Sequence, residues 1–134
     1  MGLLDRFRRE KKEQKIEVES EKSLTELKEV CGGDQETYEV LSNTMFLDPR
    51  KINVPTNAAV KEAKKLEKAK DLVRARMWYE IAGGLAIYEG DVKKVIEYFG
   101  KCEKISPEIS YPILKDPKKA VAKAQEYYEK YLKD

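Results

Sequence analysis

The sequence predicts an all-α protein, and three observations carry that expectation. Apolar residues recur at helical spacing in separate runs. Nowhere do four or more residues alternate apolar and polar between turn signals, as a half-buried strand would. Between the runs stand the punctuating pairs Gly32-Gly33, Asp48-Pro49, Gly90-Asp91 and Asp116-Pro117. The length of 134 residues suits one domain with a short terminal arm, and the 41% hydrophobic share is enough for a core. No stretch approaches the roughly 20 apolar residues of a membrane-spanning helix, and no apolar segment of secretory type follows the basic start.

Residues 1–22 carry 13 charged side chains and few apolar ones, which reads as a helix-prone but poorly anchored arm. A single helical domain over 23–134 follows. Leu24, Leu27, Val30 and Cys31 form the stripe of its first helix, which Gly32-Gly33 stops. Asp34 is placed to cap a second helix with stripe Tyr38, Leu41 and Met45, ended by Asp48-Pro49, so that 23–50 forms a helical hairpin. A third run extends from about Ala58 to Ala69, with Lys70-Asp71 as a weak break.

From Leu72 to Tyr88 the helix is apolar almost all round, and such a helix is packed on several sides, so it belongs at the centre of the fold. After the turn Glu89-Gly90-Asp91, the run Val92–Ile105 is cleanly amphipathic, with Val95, Ile96, Phe99 and Cys102 facing one way. Pro107, Pro112 and Pro117 then prevent regular structure, leaving a strap whose Ile109, Tyr111, Ile113 and Leu114 lie against the core. Asp116-Pro117 opens the last helix, 116–132, in the favoured order of cap then proline.

Composition narrows the chemistry. There is no histidine, which removes the commonest general base and metal ligand together. Cys31 and Cys102 lie far from any CxxC spacing, so no zinc or iron–sulfur site is expected. Their pairing stays open at this level; two buried, reduced thiols are the favoured reading. Abundant Lys and Glu beside three Asn and three Gln suggest a heat-adapted source. The acids are spread along solvated helix faces, and no G-x-G-x-x-G, GK[ST], HExxH or GxSxG motif occurs. Neither an enzyme nor a cofactor is expected.

From Met77 to Pro107 the chain resembles a tetratricopeptide repeat. Tyr79 stands at the family's first aromatic, Ala82-Gly83 at its Leu-Gly pair and Gly90-Asp91 at its turn. Val95, Phe99 and Cys102 take the small, aromatic and small positions of the second helix, and Pro107 closes the repeat. Ala82, Ala86 and Val95 depart from the usual residues. The resemblance implies a TPR-like antiparallel array of about five to six helices, with helices over 58–107 and a capping helix at 116–132. It also implies that Gly83-Gly84 lets Phe99 of the next helix approach closely, which would offset the roughly 1 kcal/mol that each helical glycine costs.

On the same resemblance, Met77, Glu80, Gly84, Ile87 and Tyr88 face a groove that holds a protein or peptide partner. The expected function is therefore a cytoplasmic adaptor or scaffold. Two other readings come from the residues themselves. Leu3, Leu4 and Phe7, beside Arg8, Arg9 and other basic groups, fit an anchor to an anionic membrane or a partner. An uncovered apolar face would instead make the domain a homo-oligomer. Tyr127, Tyr128 and Tyr131 among lysines suggest nucleic-acid stacking, but Glu126 and Glu129 interrupt the field, and nucleic acid is not an expected partner.

Overall fold

A computed structural model describes residues 21–132 of the chain. Within them every regular element is helical. α1 covers residues 21–31; α2 is Gln35–Thr44, α3 Thr56–Lys68, α4 Leu72–Glu89, α5 Val92–Ile105 and α6 Pro117–Tyr131. Two short 3-10 turns, Pro49–Lys51 and Pro112–Lys115, sit in the proline-bearing connections. The described residues thus form an all-α unit of six helices.

Four of the helix starts share one device, while α3 begins after Pro55 with no side-chain cap. Asp34, Asp71, Asp91 and Asp116 each occupy the N-cap, where the carboxylate accepts the backbone N–H three residues on, from Thr37, Arg74, Lys94 and Lys119 respectively. The break at Lys70-Asp71 is therefore stronger than the sequence suggests: Lys70 takes a left-handed φ of 64° and Asp71 caps the next helix. Gly90 ends α4 with φ 74°, and its N–H returns to the carbonyls of Ala86 and Ile87.

Two expectations change. α2 stops at Thr44 rather than at Asp48. Ser42, Asn43 and Thr44 each donate a side-chain hydrogen bond to the carbonyl of Glu39 or Val40, and such local bonds compete with continuation of the helix. Asp48 instead caps the turn Pro49–Lys51. The strap is also more regular than three prolines suggest, because Pro112 begins a 3-10 turn, where its missing N–H leaves no hydrogen bond unmade. Tyr111 and Ile113 anchor that strap in the core.

α4 contacts α2, α3, α5 and α6. Its second half is enclosed, from Ala82 through Ile87. Its first two turns are not: Leu72, Val73 and Met77 are 43%, 63% and 48% exposed. The helix is central along only part of its length. Where it is enclosed, Gly83 and Gly84 do different jobs. A Cβ at Gly83 would stand 2.6 Å from Cε2 of Phe99 on α5, and one at Gly84 would stand 2.6 Å from Cε2 of Phe46, in the segment after α2. Phe99 occupies the space the sequence assigns to it. Phe46 is the second occupant, and its place is set by the hydroxyl of Tyr128 on α6, which donates to the Phe46 carbonyl at 2.5 Å.

Candidate partner-binding groove

The five positions assigned to a groove do not share one surface. Met77 is exposed. Gly84 is buried beneath Phe46, and Ile87 is fully buried. Tyr88 is 40% exposed, and its ring meets that of Tyr128 edge to face at 5.0 Å between centroids. Gln125 of α6 donates to the carbonyls of Ile87 and Tyr88, satisfying acceptors that the end of α4 leaves free. The chain's own Phe46, Gln125 and Tyr128 therefore cover this flank of α4, and Gly84 and Ile87 are closed to a partner. The physical reason is the aromatic content of those covering segments, which buries more area on α4 than solvent exposure would allow.

Glu80 does line an open surface. A groove of about 500 Å³ runs between α2 and the strap, within the size range of ligand-holding clefts. Glu36, Glu39, Val40, Asn43 and Thr44 form its α2 wall, a spacing that keeps them on one helix face. The strap supplies Ile109, Ser110, Tyr111, Pro112 and Lys115 opposite, while Phe99 and Glu80 lie at the bottom. Phe99 is thus shared: its ring rests on Gly83 and sits 5.9 Å, centroid to centroid, from Tyr111. The groove has an apolar middle, and the lining residues carry three carboxylates against one ammonium.

Beneath it, a polar network fixes the strap to α4. The Tyr111 hydroxyl donates to Glu80 at 2.5 Å. Arg76 lies 3.7 Å from Glu80 and reaches Ser106 Oγ at 3.3 Å, so that Glu80 is balanced from below. The other two acids of the groove are Glu36 and Glu39, both exposed on α2. Burial, reinforced by the Glu80 hydrogen bond, pushes the Tyr111 phenol well above its ordinary value, so it remains a donor throughout the physiological range.

The remaining candidates fall elsewhere. Leu3, Leu4, Phe7, Arg8 and Arg9 lie outside the described residues. Tyr127 and Tyr128 are buried, so they form core rather than a stacking platform. Cys31 and Cys102 are free and buried. Burial raises both thiols, that of Cys102 to about 12, which leaves little thiolate at neutral pH. α3, away from the groove's lining, exposes Lys61, Lys64, Lys65 and Lys68 along one stripe. No group of three acids or cysteines among the described residues is arranged to hold a metal ion, and no described helix is long and apolar enough to cross a membrane.

The sequence reading missed the α2 wall and the strap as a surface. Both carried a signal: Glu36, Glu39, Val40 and Asn43 share a helical face opposite the Leu41 stripe, and the strap was already expected to lie on the core. What was absent was the knowledge that the two elements face each other. Comparison of the chain with protein-family models, with curated proteins and with solved structures finds no match.

Proposed function

We propose that this chain is a protein-interaction module that takes up a partner's segment in the groove between α2 and the strap. The observation that carries the reading is the groove's composition: Val40 and Ile109, both partly exposed, offer apolar contact over the buried rings of Phe99 and Tyr111, and Glu36 and Glu39 leave one rim acidic. Apolar anchors surrounded by charged groups are the pattern that binds peptide segments, the anchors supplying affinity and the charges orientation. The helix pair α4–α5 is read as TPR-like, supported by Phe99 on Gly83, the left-handed Gly90 and the Asp91 cap. The docking face, however, is shifted from the α4 flank to the α2 side, because Phe46 and α6 occupy that flank. No catalytic role, cofactor or nucleic acid enters this reading, and the cytoplasm is its expected setting.

The test is affinity capture with the full chain as bait, comparing wild type with Glu36→Lys/Glu39→Lys and with Lys61→Glu/Lys65→Glu. All four positions are exposed, so the folded state tolerates the changes, and circular dichroism checks that it does. A partner lost with the first pair and kept with the second supports the groove. A partner retained by both variants, or none captured by the wild type, removes it.

A second reading has one observation in its favour. Leu72, Val73 and Met77 form an exposed apolar edge on the open half of α4, which fits association of two copies. Light scattering at two concentrations tests it: a mass that does not change with concentration and equals one chain excludes it.

A further inference from the structure

The groove's acidic α2 rim is complemented by the basic, partly apolar start of the same chain. We propose that residues 3–12 of the same chain occupy the groove, with Leu3, Leu4 and Phe7 in its apolar middle and the basic residues against Glu36 and Glu39. This rests on the reading of the groove as a segment-binding surface and names its resident occupant.

Three observations converge on this occupant. The first is charge. Residues 1–15 carry six basic and three acidic groups, net +3, whereas residues 16–50 carry three basic and nine acidic, net −6. Within the groove the acids left over after Arg76 has balanced Glu80 are on α2, and Lys115 stands on the opposite, strap side. A basic segment is therefore drawn to the α2 wall and away from the strap's ammonium.

The second is where the chain enters. Tyr127 and Tyr128 are neighbours on α6; Ser23 and Glu26 of α1 lie close to the Tyr127 phenol, and the Phe46 carbonyl accepts from Tyr128. The start of α1 and the end of α2 thus meet the same turn of α6. Lys28 over the ring of Tyr38, 6.0 Å from its centroid, is consistent with that pairing of the two helices. Glu21, the first described residue, therefore lies near the C-terminal end of α2 on its Tyr38 side, and the preceding arm reaches the groove by passing round that end.

The third is reach. Eight residues, 13–20, separate Lys12 from Glu21, and extended they span up to about 28 Å. α2, with 10 residues, is about 15 Å long. That reach exceeds the length of the groove's α2 wall. A tethered segment also competes at high effective concentration, so an external partner must displace it, and the same contact sets a threshold for partner binding.

Photo-crosslinking from position 7 of the full chain tests the proposal, with benzoylphenylalanine in place of Phe7. The expected result is crosslinks into residues 36–44 and 109–115 of the same chain. Their yield should be unchanged over about a hundredfold dilution, as for any intramolecular contact, and should fall several-fold in Glu36→Gln/Glu39→Gln. As a second measurement, trypsin should remove the arm about tenfold faster from that variant than from the wild type, since cleavage follows the undocked population; the Gln substitutions add no tryptic site. Crosslinks that form only between chains assign the segment to a second copy and overturn the proposal. So does reaction of position 7 with vesicles of phosphatidylglycerol at the expense of the groove, or with neither. If position 7 misses the groove while Glu36→Lys/Glu39→Lys still abolishes capture of a partner, the occupant is wrong and the groove stands; if capture is also unaffected, both fall.

Discussion

Phe99 packs against the backbone of Gly83, so close that a methyl group at that glycine would stand 2.6 Å from its ring. Phe46 stands equally close to Gly84, yet the two sites differ in how far the ring can retreat. Phe99 is 1% exposed and held within α5, whereas Phe46 is half-buried on an irregular segment. Replacing a helical glycine by alanine gains about 1 kcal/mol of propensity, and overpacking a fixed core position costs about 1–3 kcal/mol. Gly83→Ala is expected to be destabilising by up to about 2 kcal/mol on those two figures. Gly84→Ala is expected to lie within about 1 kcal/mol of wild type, because Phe46 can move. Urea unfolding of both variants checks this. A Gly83→Ala protein as stable as Gly84→Ala would show that Phe99 is not held where it is seen.

Tyr111→Phe removes the hydrogen bond to Glu80 while keeping the ring on the strap side of the groove. Net loss of about 1 kcal/mol is expected, at the low end for a charged acceptor because the Glu80 side chain is 41% exposed. The local consequence is more specific. Amides of the strap, residues 106–116, should exchange with solvent faster, while those in the middle of α4 and α5 keep their protection. Uniform acceleration across the domain, or none, would mean that the strap is held by Ile113 and its neighbours alone.

Asp34 caps α2 and also pairs with Lys119 of α6 at 2.5 Å. The hydrogen bond from Lys119, with those from Thr37, holds its carboxyl far below the ordinary value of 3.8. A carboxylate lowered on folding adds stability that is fully present above its unfolded value and is lost as pH falls through the folded one. Lys119 is shifted upward by the same pairing from 10.5, so its share is present below that value and fades above it. Asp34→Asn should therefore melt below wild type at neutral pH, with the gap closing as pH drops below about 3.8. A gap that stays constant from neutral to acid would assign the whole effect to the amide's poorer geometry as a cap.

Much of this architecture was legible in the residues alone. The helices, the Asp34 and Asp116 caps, the turn at Gly90-Asp91 and the seat of Phe99 follow from short-range rules: periodicity of apolar positions, carboxylates that accept from N-terminal amides, and glycine where φ is positive or a neighbour must come close. Each of these is decided within a few residues of chain, or across one turn between adjacent helices. Tertiary packing decided the rest. Gly84 and Ile87 carry no mark that distinguishes a partner's surface from an internal one; Phe46, about 40 residues upstream, and Gln125 and Tyr128, about as far downstream, closed that flank because burying aromatic rings is worth more than leaving α4 wet. The facing of α2 and the strap, which makes the groove, depends likewise on which helix faces were left over once the core had formed. Helical period tells which residues share a side, but which side meets solvent is settled by the competition of all sides for the same core.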